Sequence, residues 1–533
     1  MFRLRSAFDF ALHTMKSDNT RSTFAAARHY SRVIRLQGRP FVDADANEQA
    51  DILLDYLRKL ARDVIGPAGG PVGTDPFGLF GIVSKPGFEI VRADPEHDPF
   101  PDLFQDSGFR AASGRYYVQG IMVENEALAP ILLPEQNPGD TRDLRTTEPD
   151  PSLDRGALFY LDVWERLVTW LDDPHMRDAA LGRADSAARS QVAWEVRCDI
   201  KLDLDSDGEI DVGKLRLAAF AKLLERDDWS LRATLQADLK EPPNHADPCA
   251  LSPDARFRGM ENQLYRVEIH EASLDGGVWK ASLKWSRENG SVVAPLRYPP
   301  PGAEASILTI QSVPQRGGGF AAGDIIEVLS AADEMAGRSG QLTQIASVDG
   351  ERLCLTEPVQ RKDWHHVRVR RWDHRPVKAA DKKKLLAIPI TLAENEKDDP
   401  WVELECGIQV RFWASEKADM GETNRSQFRP GDYWQIPARV ATGQIEWPLD
   451  PAGRQREKLG PFGVRHFYAP LAVLQSVGEP VDLRRIFKVL EESDTKMEHT
   501  LFDKFPRSPA PPASPAPPPS GDRAGKGGRA KRR

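Results

Sequence analysis

Between residues 46 and 65 the apolar positions recur with a helical period. Leu53, Leu57, Leu60 and Val64 stand at i, i+4, i+7 and i+11, on one face of a helix predicted over about Ala46 to Ile65. Asp45, with Glu48 three positions on, has the form of a capping box at its start. Gly66-Pro67 and then Gly69-Gly70-Pro71 stop it. Beyond residue 71 the period falls to two. Tyr265, Val267 and Ile269 alternate with Arg266, Glu268 and His270, the pattern of a strand with one wet face. Val367 and Val369 alternate with Arg368 and Arg370, and Ile408, Val410 and Phe412 with Gln409 and Arg411. Tyr116–Val123 and Leu158–Trp164 read as buried strands, and Leu215–Leu224 as a second helix.

Many Pro- and Gly-rich turns separate the strand-like runs, which favours sandwiches or small barrels over a wound α/β sheet. The predicted fold class is mainly β with minor α: multidomain β-sandwich and small-barrel modules, an N-terminal helix, and a disordered C-terminal tail. Residues 72–300 form the expected β-rich domain, with a helical insertion near 199–248. Residues 301–360 read as a small barrel-like module, because short strands there alternate with Gly323-Asp324 and Asp349-Gly350 turns. A C-terminal β domain is expected over 361–490. From 491 to 533 the chain is expected to be a Pro-rich basic tail, since SPAPPASPAPPPSGDRAGKGGRAKRR cannot bury apolar surface.

Composition narrows the function. With 533 residues, 40% hydrophobic and 29% charged, the chain has material for several cores. A formal charge of −8 excludes a general nucleic-acid binder, which needs a basic face. Cys198, Cys249, Cys354 and Cys406 are far apart and form no CxxC pair, as in a reducing compartment without a disulfide framework. No apolar run reaches the ~18 residues of a membrane span. The N-terminal apolar run is broken by Asp9 and His13, so no secretory signal is expected.

The sharpest local motif is acidic. Asp203, Asp205, Asp207 and Asp211 fall at positions one, three, five and nine around Gly208, a spacing that suits calcium's oxygen-rich shell. Lys214 stands where an EF-hand needs a bidentate Glu. The competing reading is an ion-free acidic turn, so no cofactor is expected, with calcium as the alternative. Asp43 and Asp45 form a D-x-D, read as helix-start acids rather than a metal–nucleotide site. His365-His366, with His374 nearby, lies in an arginine-rich strand whose cations oppose a metal; such a basic face suits an acidic partner surface instead. Glu288 with Asp324 or Asp432 is the pair a glycosidase would need, yet nothing in the sequence brings them together. GxSxG and HExxH motifs are absent. Trp413, Tyr433, Trp434 and Trp447 cluster in the last third, as a core, a subunit interface or a stacking surface for sugars.

One resemblance extends along most of the chain. HYSRVIRLQGRPFVDADANEQADILLDYLRKLARDVIGPAGGP, from His29 to Pro71, resembles the N-terminal signature of an uncharacterised conserved family, a domain of unknown function. Its members are often encoded beside phage-tail-like contractile injection systems. GRYYVQG (Gly114–Gly120), LFYLDVWERLVTWLDDP (Leu158–Pro174), ENQLYRVEIH (Glu261–His270) and KWSRENGSVV (Lys284–Val293) continue it. So do GDYWQIPAR (Gly431–Arg439) and HFYAPLA (His466–Ala472). Ala46 stands where the family usually has Trp. MKSDNTRSTF at Met15–Phe24 is similar to the family's usual opening, so residues 15–71 are the signature segment, and 1–14 an expected extension or mis-assigned start.

The resemblance implies a non-enzymatic structural or accessory part of a bacterial tail-like particle. Such a part would be made in the cytoplasm and incorporated into the particle. Its baseplate, fibre or other position is open. The expected partners are the particle's protein subunits, with a homo-oligomer as one form of assembly and the N-terminal helix as an attachment element. Two alternatives from other classes are a carbohydrate-binding module, calcium-assisted through Asp203–Asp211, that meets a cell-surface glycan, and a carbohydrate-active enzyme.

Overall fold

Strands dominate, as the two-residue period predicts. The computed structural model describes residue 16 and residues 19–71, 87–92, 109–125, 155–180, 184–204, 211–226, 229–240, 256–275, 278–298, 300, 302–311, 318–378, 384–393, 400–415, 428–450, 453, 455–476 and 479–487. The tail expected over 491–533 and the extension expected over 1–14 lie outside them. Three α-helices occur among the described residues: α1 (Asp43–Ile65), α2 (Val212–Arg226) and α3 (Ala331–Met335).

One sheet runs in the order Glu479–Asp482, Phe467–Ser476, Ala157–Val168, Arg189–Lys201. Its strand Ala157–Val168 is buried without a break from Ala157 to Glu165, which requires cover on both faces. Phe159, Leu161 and Val163 enter one core with Phe88, Tyr116 and Trp194. Leu158 and Tyr160 enter another with Ala219 and Leu223 of α2. Asp162 interrupts the run and is buried, paired with His466 at 2.7 Å and Arg197 at 3.1 Å.

The single strand expected over Tyr116–Val123 is instead a hairpin of Gly114–Val118 and Ile121–Asn125. Gln119 and Gly120, with φ of 50° and 82°, form its tight turn, and two positive φ values match the strands' right-handed twist. This hairpin joins a sheet in the order Ile486–Phe487, Ala68–Pro71, Gly114–Val118, Ile121–Asn125. Gly70 pairs in parallel with Ile486, so the strand that follows α1 is closed by residues more than four hundred positions later.

The sheet of Thr234–Leu239, Ile408–Trp413 and Leu392–Ala393 shares one core with a five-stranded sheet. That sheet runs Ile388–Pro389, Val278–Ser286, Gln263–Asp275, Tyr433–Arg439, Gln444–Ile445. Tyr265, Val267 and Ile269 face this core, as the alternation predicts. The wet face does not exist: Arg266, Glu268 and His270 are buried too, because the other face meets Glu327 of a six-stranded sheet through Lys284.

That sheet curls as a half-barrel. Its order is Val293–Pro295, Val367–Trp372, Ile325–Ser330, Gln341–Asp349, Arg352–Gln360, Glu304–Thr309, around Leu308, Ile326, Val328 and Val369. All six residues of Val367–Trp372 are buried, so Arg368 and Arg370 do not form the open basic face that their alternation predicts. Glu334 of α3 pairs with both.

Candidate functional site

Helix α1 is amphipathic, yet its apolar stripe points away from the molecule. A stripe of this kind ordinarily faces a core. Here Leu53, Leu57, Leu60 and Val64 are exposed, whereas Ala44, Ile52, Asp55, Arg58 and Ile65 are buried. Counting Ala50, which is also exposed, the stripe at 50, 53, 57, 60 and 64 has the alternating three-and-four spacing of a coiled-coil seam. The arm before α1 behaves alike: Tyr30, Ile34, Leu36 and Phe41 are exposed, and Val33 N–H donates to Gln49 Oε1 at 2.8 Å to hold it beside the helix.

The charged side seats α1 on the body. Arg58 Nη2 donates to Glu165 Oε1 at 2.7 Å, with side chains only 8% and 5% exposed. Ser190 Oγ donates to the same carboxylate at 3.2 Å. The hairpin turn abuts the helix at this point: a Cβ on Gly120 would stand 2.3 Å from the Arg58 carbonyl oxygen, so only glycine fits. Burial raises the Asp51 carboxyl to about 6, with Arg58 opposing and Glu165 and Glu48 reinforcing the rise. The capping box does not form, because the helix begins at Asp43, ahead of Asp45. Val42 is its N-cap and makes no side-chain cap, and Glu48 instead accepts from Thr23 Oγ1 at 2.5 Å. A true box opens α3, between Ser330 and Asp333.

A second constellation is the dry polar seam between the five- and six-stranded sheets. Lys284 Nζ lies 2.6 Å from Glu327 and 3.3 Å from Glu268. Glu268 also receives Lys16 at 2.6 Å and Arg266 at 2.7 Å, and Trp372 Nε1 donates to Glu327 at 2.9 Å. Burial by itself raises a carboxyl, but the Lys284 and Lys16 ammoniums hold Glu327 down at about 2. Lys16, Lys284 and Arg266 hold Glu268 well below the carboxylate range against the same burial. Arg266, Glu268, Lys284 and Glu327 have no accessible surface, so the seam ties sheets together and offers no group to a solute. Two histidines flank it. Burial, with Lys284 nearby, lowers His270 to about 3, and burial lowers His374 to about 4. His374 accepts from Trp285 N–H at 3.5 Å and lies 2.6 Å from the Leu386 carbonyl.

Asp205 and Asp207 lie outside the described residues. Asp203 is exposed, and Asp211 Oδ1 accepts from Gly213 N–H at 2.9 Å and Lys214 N–H at 3.1 Å, at the start of α2. Among the described residues no group of three or more His, Cys, Asp or Glu is arranged to hold a metal. Trp413, Tyr433, Trp434 and Trp447 are all buried. Trp434 and Trp447 donate to the Leu459 and Glu457 carbonyls at 2.9 and 2.8 Å. Trp413 donates to Gln236 at 3.2 Å under the Lys458 ammonium, and Tyr433 lies under the Arg266 guanidinium. Glu288 is half-buried in a turn, Asp324 accepts from Ala321 N–H at 2.8 Å, and Asp432 is buried 3.4 Å from Arg232. The Asp324 and Asp432 carboxylates are thus engaged in their own local structure. A cleft of about 280 Å³ lies between Pro67, Tyr116, Leu217, Phe220 and Leu483, with mostly apolar walls.

The sequence pattern missed the outward aim of the stripe, although its coiled-coil spacing was a readable signal. It also missed the dry seam, for which the opposite charges on Glu268 and Lys284, in neighbouring strands, were the available sign.

Two segments of the chain, residues 15–208 and 206–484, match the model of the Family of unknown function (DUF6519). The matches cover most of the chain, so it belongs to that family. No curated protein and no solved structure matches it. Among the described residues no helix is long and apolar enough to cross a membrane.

Proposed function

We propose that this member of the DUF6519 family is a non-enzymatic structural or accessory component of a phage-tail-like contractile injection particle. It acts by protein–protein assembly, is made in the cytoplasm, and is incorporated into the particle. The observation that carries the assembly reading is the outward stripe of α1. Leu53, Leu57, Leu60 and Val64 would cost free energy in water if they stayed uncovered, whereas Arg58 and Glu165 fix them in place. The particle itself is supported by the resemblance of His29–Pro71 and the later segments to a family encoded beside such systems. Mass spectrometry of purified native particles tests the proposal. The protein is expected among their stoichiometric components, and its absence from intact particles overturns the reading.

A further inference from the structure

We infer that the apolar seam of α1 is occupied by a second copy of this chain, helix against helix. The inference rests on the assembly reading above and names its partner. Three observations support it.

The first is area. Among the described residues, eleven of the twenty-two exposed large apolar side chains fall between Tyr30 and Val64, and they are 36–66% exposed. Summed over arm and helix, they leave on the order of 1,000 Å² of apolar surface open, near the ~800 Å² that each partner gives to a standard interface.

The second is register. With Ala50, Leu57 and Val64 at the a positions and Ala46, Leu53 and Leu60 at d, the seam runs without a break over most of α1. From Ala50 to Val64 it spans about 21 Å, at 1.5 Å per residue.

The third is charge. The flanking e and g positions decide which helix a seam accepts. Here they are Asn47, Leu54 and Ala61 on one side and Gln49, Tyr56 and Asp63 on the other. Asp63 is the one charge among the six. No run of like charge repels an identical face, and no run of one sign selects a partner of the other. Charges of α1 are engaged elsewhere, Arg58 with Glu165 on the body and Lys59 with Asp55 along the helix itself. A two-fold axis through the middle of the seam brings Leu57 against Leu57 of the second copy, whether the helices run parallel or antiparallel.

The test is the association state of the full chain by sedimentation velocity and light scattering, with Leu57→Glu/Leu60→Glu as the seam variant. Both side chains are exposed, so the variant is expected to keep the wild-type circular dichroism and melting temperature. The wild type is expected to self-associate at micromolar concentration, and the variant to be weakened on the order of 100-fold or more. Leu57→Cys is expected to give an oxidised, reducible dimer that the wild type, with its native cysteines, does not form under the same conditions. A monomeric wild type overturns the inference, because another segment or another protein must then cover the seam. Self-association that survives the double substitution overturns it too. Neither result bears on whether native particles contain the chain, which mass spectrometry decides separately.

Discussion

Arg58 and Glu165 are 107 positions apart in the chain and meet at 2.7 Å with almost no exposure to water. Helix α1 is therefore fastened to the body by its charged side, which leaves its apolar side free.

Removing that fastening has a defined cost. Arg58→Met leaves Glu165 buried without its cation, a loss of about 3–5 kcal/mol for a broken buried pair. The cost is expected to appear locally, as faster amide hydrogen exchange over Asp43–Ile65 with protection retained in Ala157–Val168. Equal protection of α1 in variant and wild type would show that the pair does not hold the helix.

The dry seam predicts a similar loss with a specific rescue. Lys284→Met strands Glu327, while Glu268 keeps Lys16 and Arg266, and is expected to lower unfolding free energy by about 3–5 kcal/mol in urea titrations. Adding Glu327→Gln is expected to recover part of that loss, since one stranded charge is removed. A double variant no more stable than Lys284→Met would contradict the coupling.

The two lowered histidines set an acid limb of stability. Unfolded, His270 and His374 titrate near 6.5; folded, they remain neutral down to about 3 and about 4. The unfolded chain therefore binds more protons below pH 6.5, and this stability is full above 6.5 and lost progressively as pH falls through about 4 for His374 and about 3 for His270. Melting temperature is expected to drop between pH 7 and 5, and less steeply in His374→Gln. An unchanged slope in the variant would remove His374 from the account.

Asp51 works in the opposite sense. Its carboxyl is raised to about 6 by burial, so the folded chain holds a proton between about pH 4 and 6 that the unfolded chain has released. Stability from this group is full below pH 4 and declines up to 6. Asp51→Asn is expected to melt higher than wild type at pH 7 to 8 and at the same temperature near pH 4. A variant less stable at pH 8 would show that its charge is needed at the seat of α1.

Much of the fold was legible because strand and helix periods are local. Tyr265, Val267 and Ile269 announced a strand, and Leu53 to Val64 a helix. What a face meets is not local. Glu268 finds Lys284 in a neighbouring strand and Lys16 some 250 positions upstream, so alternation alone made a dry face look wet. The hairpin at Gln119-Gly120 was hidden because apolar residues continue on both sides of the turn. Trp434 was visible as an aromatic, but its burial depends on Phe412 and on the Leu459 carbonyl, which pattern does not place. The outward stripe was the hardest to read, because the same spacing serves an inner core and an outer seam.

The parallel pairing of Gly70 with Ile486 bears on the order of events at the ribosome. The strand Ala68–Pro71 leaves the exit tunnel early, and one edge of it stays open until Ile486–Phe487 emerges. Long-range closure of this kind is slow compared with hairpin formation. A chain released before residue 487 therefore carries α1 on an unfinished sheet, with exposed edge hydrogen bonds beside an exposed apolar helix. Quality control has both signals to recognise, and only translation past Phe487 removes the first of them.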